Sequence, residues 1–222
     1  MRKLTLDFRD LHRSGPAFFD YLKLRKRFFV DALGWDIPHD HEVEMDQYDN
    51  PTARYALVLG DGGTVLAGAR ALPLDARWGS TTSMLRDARS GQMKGIPAAL
   101  MSEEEMTARS WECTRLVISP DVRGAAARRE CLGLICEGLV DMALAQGAER
   151  LVSLSNLWLL RSLKQLGYDA ELVSAPYVNA EDGHRYAVMG MTAMRLAPRD
   201  LPRIIPGVGA PAPTITREPV LH

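Results

Sequence analysis

Two apolar runs, residues 54–59 and 64–72, flank the tetrapeptide Gly60-Asp61-Gly62-Gly63. This pattern predicts a β-hairpin, because glycine and aspartate tolerate the positive-φ conformations that tight hairpin turns need. The hairpin is also surrounded by charge. Glu44-Met45-Asp46-Gln47-Tyr48-Asp49-Asn50-Pro51 leads into its first strand, and Arg70 lies near the end of its second. Another acid–base pair, Trp111-Glu112-Cys113-Thr114-Arg115, sits inside a later apolar run. Carboxylates and guanidinium groups this close to a hydrophobic core are costly unless paired, so each requires a partner or a ligand.

The flanking segments suggest how the hairpin is embedded. Residues 3–8 alternate, with Leu4, Leu6 and Phe8 on one face, and read as a first strand. Ser14-Gly15-Pro16 opens a helix that carries Phe18, Phe19, Leu22, Phe29 and Leu33 inward, with Arg25, Lys26 and Arg27 at least partly outward, and Gly34 stops it. Residues 35–50 lack periodicity and read as a loop able to order around a ligand. A short helix is expected near 83–89. The segment after it, with Met101, Glu103 to Glu105 and Met106, reads as a flexible cover. Residues 111–118 read as a strand, 125–146 as a helix with Leu132, Ile135, Leu139 and Met142 on its apolar side, 151–154 as a strand, and 158–166 as a helix ended by Gly167. Residues 171–174 and 185–194 are further strands. This order predicts an α/β (α+β) fold with one mixed, mostly antiparallel sheet and helices on its faces. Six of the 13 prolines fall in the last 25 residues, so residues 1–197 read as a single domain and 198–222 as an extended tail.

Bulk properties exclude some classes. The chain has 222 residues, 46% hydrophobic and 25% charged, with a formal net charge of -1, which argues against wholesale nucleic-acid binding. No apolar run approaches the roughly 18 residues of a membrane span. The first residues lack the apolar stretch of a signal peptide, and the three cysteines have no metal-ligand spacing, so a cytoplasmic protein with reduced thiols is expected. His39-Asp40-His41 invites a metal reading, but no third suitably spaced ligand accompanies it, and no metal is expected.

Ile118-Ser119-Pro120-Asp121-Val122-Arg123-Gly124 resembles the strand-to-helix turn of the GCN5-related N-acetyltransferase fold, with Ala125-Ala126-Ala127 where a further glycine normally follows. Arg25, Phe29, Trp35, Asp46, Asp49, Arg70, Glu112 and Arg115, taken in order, resemble the signature of the acyl-homoserine-lactone synthases, the LuxI-type autoinducer synthases. The resemblance runs from about residue 20 to residue 175. It implies a three-layer αβα sandwich of the acetyltransferase type. It also implies an enzyme that joins an acyl chain from acyl carrier protein or acyl-coenzyme A to S-adenosylmethionine, releasing an N-acyl-homoserine lactone and methylthioadenosine. No cofactor is implied beyond these substrates. Carried over residue by residue, Glu112, Asp46, Asp49, Arg70 and Arg115 would be catalytic, with Glu112 as general base, and Arg25, Phe29 and Trp35 would bind S-adenosylmethionine. Ser153 and Met84 would meet the acyl chain.

These residue types suit the substrate independently of the name. S-adenosylmethionine presents a sulfonium, an ammonium and a carboxylate, so its site should offer acids, an arginine or two and aromatic surface. Arg123, Arg128 and Arg129, with Arg161 and Lys164, could form a basic docking face for an acidic acyl carrier protein, or simply an exposed helix face. Alternatives remain for the rest. Asp46 and Asp49 could cap a turn before Pro51, Arg70 and Glu112 could be a structural ion pair, and Trp35 could be core. Met84-Leu85-Arg86-Asp87-Ala88 leads to Arg89 where the family usually has phenylalanine, which implies a rebuilt pocket wall. Other function classes compatible with the chain are an N-acyltransferase for another amine and a non-catalytic sensor.

Overall fold

The computed structural model describes residues 1–197, and the proline-rich segment expected over 198–222 lies outside the described residues. One sheet of eight strands carries the architecture, in the order β1-β2-β3-β4-β5-β8-β6, with β7 also pairing with β8. The strands are β1 (Arg2–Asp7), β2 (Arg54–Leu59), β3 (Val65–Pro73), β4 (Ser110–Ile118), β5 (Arg150–Asn156), β6 (Glu171–Leu172), β7 (Tyr177–Val178) and β8 (Arg185–Thr192). All neighbours pair antiparallel except β4 and β5, which are parallel. The helices are α1 (Ala17–Arg25), α2 (Met84–Arg89), α3 (Ala125–Ala145) and α4 (Trp158–Leu166).

Strand alternation sorts the helices into layers. On β3, Ala67, Ala69 and Ala71 face α3, together with Ala56, Val58, Trp111 and Leu151 from neighbouring strands and Cys131, Ile135 and Leu139 from the helix. Small side chains there let α3 approach closely: a Cβ on Gly138 would lie 2.9 Å from the Cβ of Ala56. The opposite face receives α1, with Tyr21 and Leu24 packed on Tyr55, Leu57 and Val117. A separate cluster on α2's side holds Leu74, Leu85, Leu100, Met101, Met106, Val152 and Val188.

Several expectations need correction. The first helix divides into α1 and a π-helical turn over Lys26–Ala32, and it ends as expected at Gly34, whose φ is +71°. Arg25, expected to face at least partly outward, is fully buried, whereas Phe19, expected inward, is exposed, as is Phe8, expected on one strand face with Leu4 and Leu6. Side-chain hydrophobicity misassigned both phenylalanines. Phe19 lies under the ammonium of Lys23 at 4.8 Å, and Phe8 falls one residue past the end of β1. The segment expected to be a flexible cover instead contributes Met101 and Met106 to a buried cluster, and Ser102 and Glu105 close a capping box around Glu103–Glu105.

Two irregularities shape the site. Gly68 pairs with Val117 but Arg70 pairs with Thr114, so Arg115 and Leu116 together oppose Ala69 in a β-bulge. Arg115 takes the strained φ of +54° there. In addition, β4 and β5 share only three rungs, from Ser110↔Arg150 to Glu112↔Val152, and pair no further. Beyond Glu112 and Val152 the sheet therefore splits.

Candidate active site

The site grows from three arginines that the fold buries on one face of the sheet. Arg70 belongs there by strand alternation, and Arg25 is the last residue of α1. Alternation alone would point Arg115 the other way, since Glu112 and Thr114 already occupy the site face. The bulge adds one residue and turns the Arg115 side chain back. The Tyr21 hydroxyl donates to the Arg115 carbonyl at 2.8 Å, which satisfies a backbone group the bulge takes out of the ladder.

The loop over 35–50 supplies the counter-charges. Asp49 receives a bidentate pair from Arg25 Nη1 and Nη2 (2.8 and 2.9 Å), and the Tyr55 hydroxyl at 3.1 Å. Asp46 accepts Arg70 Nη1 and Nη2 (2.5 and 3.2 Å) and lies 2.8 Å from Arg115 Nη2. Glu44 lies between Arg25 Nε at 2.6 Å and Arg115 Nε at 3.2 Å. Arg70 also reaches Asp49 at 3.0 Å and donates to Thr114 Oγ1 at 3.0 Å. Three cations and three anions therefore alternate in a closed lattice whose charges cancel. The loop is ordered by these ion pairs.

Each guanidinium also has an aromatic ring over its face: Tyr21 for Arg25 at 5.4 Å, Tyr48 for Arg70 at 5.5 Å and Phe29 for Arg115 at 5.5 Å. Burial pushes the Asp46 and Asp49 carboxyls up, but the charge of Arg70, joined by Arg115 for Asp46 and by Arg25 for Asp49, outweighs it and leaves both below the usual range. Both acids are ionised at neutral pH. Arg115 lies at the rim, its side chain 10% exposed against 0% for Arg25 and Arg70.

An aromatic wall adjoins that rim. Gly34 turns the chain so that the Trp35 N–H reaches the Phe29 carbonyl at 3.0 Å, and the two rings stack with centroids 5.0 Å apart. Trp35 is half-buried and packs against the α1-side core cluster.

Glu112 sits apart from the arginine lattice. Its Oε2 and Oε1 accept the Met84 and Leu85 N–H groups, each at 2.8 Å, so the carboxylate caps α2. The expected alternative, a structural ion pair with Arg70, is not formed; Arg70 is bonded to Asp46, Asp49 and Thr114. Burial raises the Glu112 pKa to about 7, against the pull of the two N–H groups. The Asp87 charge raises it further. Asp87 is itself held by the Tyr48 hydroxyl at 2.9 Å and by Thr82.

The other expected residues are distributed more widely. Met84 is buried at the start of α2, and Ser153 lies half-buried on β5 opposite Met189, just past the last β4–β5 rung. Arg89 bonds the Met101 carbonyl at 3.1 Å and pairs with Glu103. Arg123, Arg128 and Arg129 are exposed near the start of α3, with Arg161 and Lys164 exposed on α4. Among the described residues, no group of three or more His, Cys, Asp or Glu side chains is placed to hold a metal ion. Glu44, Tyr48, Tyr55, Asp87 and Thr114 received no role from the sequence. Glu44 had a visible signal, its place in the same acidic run as Asp46.

The family description "Autoinducer synthase" matches residues 12–195. The chain belongs to the autoinducer synthase family. The acyl-homoserine-lactone synthase of Acinetobacter nosocomialis is 26% identical over 168 residues, covering 73% of this chain and 86% of the relative. That of Aeromonas hydrophila is 28% identical over 172 residues, covering 75% and 71%. In fold, the chain is similar to TofI, solved in a ternary complex with an inhibitor and MTA, at TM-score 0.66 and 23% identity over 87% of this chain and 92% of that one. It is likewise similar to BjaI, a CoA-dependent acyl-homoserine lactone synthase solved with SAM and isopentyl-CoA, at TM-score 0.63 and 18% identity over 86% and 82%. As a member of this family the protein is an acyltransferase that joins an acyl group to S-adenosylmethionine to form an acyl-homoserine lactone. The acetyltransferase-like fold expected from the sequence is present.

Proposed function

We propose that the rim of the arginine lattice, the Phe29–Trp35 wall and the split between β4 and β5 together bind S-adenosylmethionine and the acyl thioester. In this reading the aromatic wall takes the sulfonium and adenine, and Arg115, the most exposed of the three arginines, takes the substrate carboxylate. Arg25 and Arg70, locked by Asp49, Asp46 and Glu44, hold Arg115 and the loop in place, and Asp46 lends negative charge to the substrate ammonium. The thioester enters where β4 and β5 part, and its chain passes Met84 and Ser153. Backbone N–H groups of β4 beyond Glu112, where β5 no longer pairs with it, would serve its oxyanion.

The amine lone pair attacks the thioester carbon, Glu112 takes the amine proton directly or through a water, the C–S bond breaks, and the departing thiolate receives that proton and leaves as thiol. A free α-amine of pKa about 7.7–8.0 is already of order 10–20% neutral at pH 7. Deprotonation in the ground state therefore accounts for only about tenfold, roughly 1.4 kcal/mol. Alignment and oxyanion stabilisation supply more. Lactone closure follows as an internal displacement: the carboxylate oxygen bonds the γ-carbon and the sulfonium leaves as neutral methylthioadenosine. The step cancels opposite charges, which removal from bulk water favours.

Acyl carrier protein is the donor this reading favours, because Arg123, Arg128, Arg129, Arg161 and Lys164 offer an acidic partner a basic face. A cytoplasmic location follows from both substrates, and the free thiols of Cys113, Cys131 and Cys136 are compatible with it. The observation that supports the proposal is the chain of contacts in which Phe29 stacks on Trp35 and lies over Arg115, which in turn pairs with Asp46. The test is to incubate purified protein with S-adenosylmethionine and acyl carrier or coenzyme A thioesters, and to look for methylthioadenosine and lactone by mass spectrometry. Open-chain amide without methylthioadenosine would point to simple N-acylation of another amine.

A further inference from the structure

The sheet divides where β4 and β5 stop pairing, and a side-chain contact spans the two halves on the side of the aromatic wall. Trp35 Nε1–H, from the half built on β1–β4, donates to Asp182 Oδ2 at 3.0 Å, across 147 positions of chain. Asp182 lies in the turn between β7 and β8, and that turn is well braced. The Tyr186 hydroxyl donates to the same Oδ2 at 2.7 Å, and the His184 N–H donates to Oδ1 at 2.9 Å. Backbone bonds from Asn179 N–H to the His184 carbonyl and from Gly183 N–H to the Asn179 carbonyl, both 2.9 Å, close the turn itself. The Tyr186 ring leans against Trp35 at 6.2 Å and Tyr177 at 6.4 Å, and Tyr186 pairs with Asn156 across β5.

This geometry constrains the indole in a way that stacking cannot. An indole has a single hydrogen-bond donor and no acceptor, so one bond to a braced carboxylate fixes its rotation within the stacking plane. Stacking on Phe29 alone would let the ring slide and turn. A carboxylate on the N–H also polarises the ring and makes its face a better surface for a cation.

We propose that Asp182, braced by Tyr186, is a positioning residue for acyl transfer: it locks Trp35 against Phe29 and so sets the aromatic wall for the S-adenosylmethionine sulfonium. The proposal rests on the reading above that Trp35 contacts this substrate. Asp182 acts through Trp35 and touches no reacting atom. Asp182 itself is half-buried in a largely exposed turn.

The experiment is steady-state kinetics with S-adenosylmethionine varied at saturating acyl donor, for Asp182→Asn, Tyr186→Phe, Trp35→Phe, Trp35→Ala and the double variant Trp35→Phe/Asp182→Asn. Asp182→Asn is expected to raise the S-adenosylmethionine KM about tenfold, the scale of one hydrogen bond to a charged group, with kcat, the acyl-donor KM and Tm nearly unchanged. Tyr186→Phe should do the same more weakly. In the Trp35→Phe background, which has no indole N–H, the Asp182→Asn effect should vanish. A full Asp182→Asn effect in that background, or a parallel loss of Tm and kcat, would overturn the proposal. Trp35→Ala separates the two readings. If it raises KM while Asp182→Asn does not, the positioning role is wrong and the substrate site stands. If Trp35→Ala leaves KM unchanged, the placement of S-adenosylmethionine itself fails, and the positioning role with it.

Discussion

Glu112 shows how much one side chain's environment decides. As a residue in an apolar strand it could have been a base, an ion-pair partner or a cap, and it is found capping α2 while burial lifts its pKa to about 7. A carboxylate accepts about four hydrogen bonds, and two are taken by the Met84 and Leu85 N–H groups. Acting as a base it must be ionised, so kcat/KM is expected to fall as pH drops through about 7. Glu112→Gln should lower turnover by about 10²–10⁴ with little change in the S-adenosylmethionine KM. The Asp87 charge raises the Glu112 pKa. Removing it in Asp87→Asn should therefore shift the acid limb of the pH profile to lower pH. A limb near 7 unmoved in Asp87→Asn but lost in Glu112→Gln, with only the substrate amine's own limb at about 7.7–8.0 left, would mean that Asp87 only holds Tyr48. None of this environment was visible in the sequence, because the α2 N–H groups and Asp87 meet Glu112 only through packing.

At the level of elements, the loop over 35–50 and the β4 bulge do the most to build the site. The loop has no regular structure, and its own acids order it by pairing with Arg25, Arg70 and Arg115. Removing one partner leaves a buried charge unmatched, so Asp49→Asn is expected to destabilise the fold by about 3–5 kcal/mol in denaturant unfolding. Asp46 and Asp49 titrate below the usual carboxylate range in the folded state. Their contribution is thus complete above the unfolded value of about 3.9 and is lost only as pH falls through the lower folded values. Next to the bulge, a Cβ on Gly68 would lie 2.7 Å from Leu57 Cδ2 and from the Tyr21 ring. Gly68→Ala should cost about 1–3 kcal/mol, read as a lower Tm. The hairpin, the Gly34 stop and the Gly167 cap were all legible because each rests on local backbone conformation. The bulge was not, since neither Thr114 nor Arg115 carries a local mark of it.

For the whole molecule, the sheet separates two charged surfaces of different character. The arginine lattice and aromatic wall lie on the side of α1, and the basic face lies on α3 and α4, tied together by Arg129 donating to the Gln165 carbonyl. If that face receives an acyl carrier protein, Arg161→Glu with Lys164→Glu should raise the carrier KM about tenfold or more and blunt its salt dependence. The S-adenosylmethionine KM and activity with acyl-coenzyme A should stay the same. Equal loss with both donors would show that the face has another role.

The sequence by itself determined the order of elements, the turns and the list of charged residues that had to find partners. Hydrophobic period, glycine conformation and the cost of burying charge are all properties of short segments. Tertiary structure alone decided who pairs with whom. It buried Arg25, which segment-level reading placed outward, turned Arg115 onto the site face through one extra residue, and brought Asp182 to Trp35 from the far half of the sheet. These outcomes depend on strand register and on contacts between distant segments, and no local pattern encodes either.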